Sequence, residues 1–116
     1  MTESGDPGHV RYRHDLERKL VDHARNLLSG VTSITEASRG IASIAYELNV
    51  AFEQPFLYFV GIDSETDQFP IGDVTQLWHP AAVAKLDAER ERYEASIHRE
   101  AVQYAEEIIA RFARRD

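Results

Sequence analysis

The most concentrated run of net negative charge in the chain is Asp63-Ser64-Glu65-Thr66-Asp67. Carboxylates at alternate positions are the chemistry of cation capture, and they match the opening of a calcium-binding loop. The match then fails. The sixth position should be glycine and is Gln68, and the twelfth should be glutamate and is Val74. What remains is a compact negative segment. It can present charge to a basic partner, or join a histidine in a small catalytic or metal-binding site.

The histidines are His9, His14, His23, His79 and His98. None stands at the i,i+4 spacing of a helical zinc pair. Carboxylate-bridged metal bundles use Glu-x-x-His repeats, and the nearest candidates here, Glu94 with His98 and Asp15 with His23, are spaced wrongly. The chain has no cysteine, which removes disulfides, thiolate metal sites and cysteine nucleophiles together. It has no phosphate-binding glycine loop and no nucleophile elbow. No metal ligand, no cofactor and no catalytic residue is therefore assigned.

A second polar set, Glu36, Arg39 and Glu47, interrupts a surface of small residues. Two readings stand side by side. In one, these side chains face solvent and pair locally, as weak surface pairs do. In the other, they join Asp63 and Glu65 in a polar cleft. The candidate interaction cluster is thus Glu36, Arg39, Glu47, Asp63, Glu65 and Asp67.

The elements that position these residues read as helices. From His9 to Ser29, Leu16, Leu20, Ala24, Leu27 and Leu28 recur every three or four residues, so they share a face. Val10, Tyr12 and Val21 widen it, and Gly30 ends the helix. Ser33-Ile34-Thr35-Glu36 fits a capping box, in which the serine and the glutamate satisfy each other's backbone donors. Ile34, Ala37, Ile41, Ile44, Ala45 and Leu48 then mark an amphipathic helix ending near Asn49. Gly40 lies on or beside this stripe, where it suits the close approach of a neighbouring helix.

Phe56 to Ile62 is ambiguous. Its aromatic and β-branched residues suit a buried strand. Yet Pro55 suits a helix start, and no other segment supplies a strand to pair with. The segment is assigned to a helix running to about Thr66. Acids near the C-terminal end of such a helix are electrostatically unfavourable, and Arg39 is a candidate to compensate them. Asp67 to His79 reads as an ordered loop, a length often tied to function. Pro80 opens a final helix to about Arg114, with Leu86, Tyr93, Ile97, Ala101, Tyr104, Ile108 and Phe112 along one side. Asp87 with Arg90 and Glu89 with Arg92 are spaced to pair on it.

The expected fold is all-α: about four helices in a small bundle or irregular array, with a long C-terminal helix. Residues 1–8 are expected to be a disordered tail and 9–116 a single helical domain. The chain carries 13 basic and 20 acidic residues, a net charge of −7. That balance repels phosphate backbones and argues against nucleic acid. Its longest apolar run, Phe56 to Ile62, is far short of the about 20 residues a membrane span requires. The expected location is cytoplasmic.

Glu36-Ala37-Ser38-Arg39-Gly40, Tyr46-Glu47-Leu48 and the stretch from Phe59 to Asp67, with Pro70 and Gly72, carry a resemblance. Over roughly residues 20 to 112 the chain resembles a set of short bacterial proteins of unknown function that share an Ile-Asp-Ser-Glu-Thr-Asp core. The resemblance implies a bacterial origin and no activity. It also implies an arginine near Thr75, where this chain departs.

Two functions follow from these readings. The first is a non-catalytic acidic interaction module, immunity-like or regulatory, with a basic protein as partner. The alternative is a small enzyme or metal-binding protein using Asp63, Glu65 and Asp67. A homodimer through the long last helix is compatible with either.

Overall fold

A computed structural model describes residues 7–67 and 79–113. They form α1 (Pro7–Ser29), α2 (Ile34–Glu47), α3 (Phe56–Glu65) and α4 (Pro80–Phe112). The all-α expectation holds, and among the described residues there is no strand. The ambiguous Phe56 segment is the helix α3.

The helix ends follow local rules. The Ser33 side chain accepts from the Glu36 backbone N–H while the Glu36 carboxylate accepts from that of Ser33, so the capping box forms. Gly30 takes φ 80°, with Val31 N–H donating to Asn26 C=O at 3.0 Å and Gly30 N–H to Leu27 C=O at 3.3 Å. Asn49 repeats this geometry at the end of α2, with φ 65° and Val50 N–H donating to Ala45 C=O at 2.9 Å. Both are Schellman closures, in which a left-handed residue turns the chain back onto the last carbonyls. His79 caps α4 by accepting from Ala81 N–H at Nδ1, 3.1 Å away, with Pro80 in the first turn.

One boundary differs from expectation. Helix α1 begins at Pro7, so Pro7 and Gly8 belong to the helix and not to the tail. Proline's fixed φ suits a first helical position, where its missing N–H goes unused. The rest of the expected tail, and the loop between Asp67 and His79, lie outside the described residues. Tyr12 and Leu28, expected on the buried face of α1, are exposed.

α2 packs against both α1 and α3, while α4 lies chiefly along α1. Leu20 and Ala24 of α1, Ala37, Ile41 and Ala45 of α2, Phe56 and Phe59 of α3, and Ala101, Ala105 and Ile108 of α4 are fully buried. Each large aliphatic or aromatic side chain removed from water contributes about 1.5–3 kcal/mol, and the alanines let the helices approach closely. Phe56 and Phe112 close one end, their rings 6.2 Å apart. No residue of α4 before Ala101 is fully buried. The N-terminal part of α4 is thus the less enclosed part of a helix about 50 Å long at roughly 1.5 Å per residue. No helix of the described residues is long and apolar enough to cross a membrane.

Candidate interaction site

The six acidic and basic residues singled out by the sequence do not share one cleft. Glu36 is held at the start of α2 by the capping box: its Oε1 accepts from Ser33 N–H at 3.2 Å. Glu47, at the other end of α2, accepts from the phenol of Tyr12 on α1. These two glutamates are eleven positions apart, about 16 Å along the helix axis. Glu36 thus pairs locally, whereas Glu47 is held by a residue of another helix.

Arg39 and Asp63 are brought together, as the electrostatics of α3 required. Arg39 Nη2 donates to the carbonyl of Thr66 at 2.6 Å, and its Nε lies 3.7 Å from Asp63 Oδ1. One guanidinium thereby meets an orphan carbonyl at the end of α3 and a carboxylate beside it, where a cation is favoured. Thr66 is fully buried, and its hydroxyl donates to Ile62 C=O at 2.6 Å. Glu65 turns the other way, toward α4, and accepts from the phenol of Tyr93 at 2.7 Å. Asp67 is exposed just beyond α3. Among the described residues, no group of three or more histidine, aspartate or glutamate side chains is arranged to hold a metal ion.

Between α3 and α4 lies an open groove of about 520 Å³. Leu57, Tyr58, Gly61 and Glu65 line it from α3, and Tyr93 and Glu100 from α4. Of these, only Glu65 was singled out by the sequence. The signal for the rest is spacing: 57, 61 and 65 recur every four residues, and 93, 97 and 100 every four and three. Those rows become one surface only once the two helices are placed side by side.

The groove is acidic and aromatic at once. The ring of Tyr58 stacks on Tyr104, with centroids 4.3 Å apart at 24°. Burial, then the neighbouring Glu100 carboxylate, pushes the Tyr58 phenol up to about 12. Burial and the hydrogen bond to Glu65 hold the Tyr93 phenol still further above its ordinary range. Both phenols therefore stay protonated, as donors, at any physiological pH. Gly61 forms the open middle of the α3 wall. A Cβ built there meets no atom within 4 Å, and its backbone is not left-handed.

A different glutamate, weighed in the sequence only against a metal spacing, proves to be structural. Glu94 on α4 accepts from both the backbone N–H of Thr35 at 2.9 Å and its hydroxyl at 2.6 Å, tying α4 to the first turn of α2. Elsewhere on the surface, Tyr46 and the exposed Phe52 meet edge to face at 6.2 Å.

No family model matches this chain, and no curated protein or solved structure matches it either.

Proposed function

We propose that the chain is a non-catalytic interaction module that presents an acidic edge to a basic protein, in the manner of an immunity protein or a small regulator. The observation that carries this reading is the charge at the end of α3. Asp63, Glu65 and Asp67 stand at the terminus where the helix's own carbonyls are already negative, and the last turn contains no basic residue. Such placement opposes helix stability by a few tenths of a kcal/mol or more per charge. Arg39 offsets it at Asp63, while Glu65 and Asp67 remain exposed. Departures from the local rules concentrate where function requires them. The net charge of −7 has the same sign, which speeds encounter with a basic partner and makes that encounter sensitive to salt.

The test is an affinity pull-down of the tagged chain from a lysate of the source organism at low and high salt, read by mass spectrometry. One stoichiometric basic protein, lost at high salt and lost on combined Glu65→Gln and Asp67→Asn substitution, is the expected result. Recovery of no basic partner at either salt would sink the reading.

A further inference from the structure

Building on that reading of the chain as an acidic module, we propose that the groove between α3 and α4 is the seat of a single cationic side chain, arginine or lysine, carried by the basic partner. Three independent features of the groove converge on it.

The first is unbalanced charge. Glu65 and Glu100 both line the groove, and among the described residues no lysine, arginine or histidine forms an ion pair with either. Glu65 accepts one hydrogen bond, from the Tyr93 phenol. A neutral donor orients a carboxylate without cancelling its charge, and an ionised carboxylate has lone pairs for about four donors. An ammonium or guanidinium brings the missing donors and the missing charge together.

The second is the walls. Leu57 and Ile97 are apolar, and the two tyrosines add ring surface. Lysine and arginine carry apolar stems that pack on such walls while the charged head reaches a polar end. Their heads are also attracted to aromatic faces. A metal ion would have no use for these walls.

The third is Gly61. Glycine inside a helix is destabilising, and it is commonly explained by a left-handed backbone or by a neighbour pressed against it. Neither holds at Gly61, which is helical and has open space where its Cβ would stand. The position faces the groove, so any larger side chain would stand in the space the cation is to occupy.

The experiment titrates the isotope-labelled full chain with N-acetyl-arginine amide and N-acetyl-lysine amide, followed by amide NMR shifts. The uncharged isosteres, N-acetyl-citrulline amide and N-acetyl-norleucine amide, serve as controls. Saturable shifts centred on Gly61, Glu65, Tyr93 and Ile97 are expected with the cations and not with the isosteres. Gly61→Leu and, separately, Glu100→Gln should weaken that binding at least tenfold while leaving the helical circular dichroism unchanged. Shifts equal for cation and isostere, shifts centred elsewhere, or binding indifferent to both substitutions would each overturn the proposal. The same substitutions carried into the salt-dependent pull-down separate the two readings. A basic partner retained by the Gly61→Leu and Glu100→Gln chains overturns the groove as its seat and leaves the acidic module standing. Absence of any basic partner removes the module itself.

Discussion

The imidazole of His23 on α1 lies against the backbone of Gly40 on α2: a Cβ built at Gly40 would stand 2.6 Å from its Nε2 and 2.8 Å from its Nδ1. Atoms do not approach so closely, so Gly40→Ala forces the half-buried ring to move or the helices to part. Alanine gains about 1 kcal/mol of helix propensity over glycine, but overpacking costs about 1–3 kcal/mol. The net expectation is a loss of about 1 kcal/mol in urea unfolding. In a His23→Ala background, where the ring is gone, the same substitution should become neutral or stabilising. Gly61 provides the contrast: nothing lies near its Cβ, so Gly61→Ala should stabilise by about 0.5–1 kcal/mol. Equal effects at the two glycines would show that the His23 contact imposes nothing.

The same ring makes the fold sensitive to mild acid. Burial holds the His23 pKa below its ordinary 6.5, an effect partly offset by Asp22 and reinforced by Lys19. Below 6.5 the unfolded chain takes up the proton before the folded one does. Stability from this residue is therefore intact above that pH, falls as the pH drops toward the lower folded pKa, and is fully lost beneath it. His23→Gln should flatten the dependence. The check is the difference in melting temperature between pH 7.5 and pH 5 for the two proteins. A difference identical in wild type and variant would rule His23 out as the acid-sensitive contact.

How far such features were legible in the sequence depended on their range. The capping box at Ser33, the left-handed closure at Gly30 and the proline-led start of α4 are written within a few consecutive residues, and each formed where its residues stood. The close approach at Gly40 could also be expected from its place on the apolar stripe. Its partner could not, because His23 lies on another helix and carries no mark of it. Glu36 and Glu47 show the same limit. Glu36 obeys a local code, whereas Glu47 is claimed by Tyr12, thirty-five positions earlier. The groove was invisible for a further reason. Its residues are spread over α3 and α4, and α3 is apolar on nearly every side, so its sequence does not say which side stays open.

Thr35 and Glu94, fifty-nine positions apart, form a two-hydrogen-bond tie between α2 and α4. The Glu94 carboxylate satisfies a backbone donor in the first turn of α2, where such donors have no partner within the helix, and the positive end of the helix dipole favours its charge. Arg90 lies 3.4 Å from the same carboxylate and holds it in place. Glu94→Ala removes the acceptor for a fully buried threonine hydroxyl, at a cost of about 1–3 kcal/mol. Thr35→Val should cost less, because the backbone N–H keeps its bond. A double-mutant cycle between the two should give a coupling of about 0.5–3 kcal/mol. Additive effects would mean the pair is not a unit.

The tyrosines of the groove should be visible in alkali. The chain has five tyrosines, with ordinary phenols ionising near pH 10. Tyr58 is pushed up to about 12, and Tyr93 is held higher still by burial and Glu65. Absorbance near 295 nm should therefore show the Tyr58 and Tyr93 phenols still protonated at pH 11. Glu100→Gln should bring the Tyr58 transition down, because it removes a neighbouring negative charge, and Tyr58→Phe should delete that transition altogether. The unfolded chain releases these protons near pH 10, before the folded one does. The stability they contribute is therefore intact below pH 10 and declines as the pH rises from there toward the folded values. A cation seated in the groove acts in the opposite direction to the carboxylates. It should lower both phenol transitions, and N-acetyl-arginine amide at saturating concentration should advance phenolate formation. Phenols that all ionise together near pH 10 would show that neither carboxylate stands close enough to hold their protons.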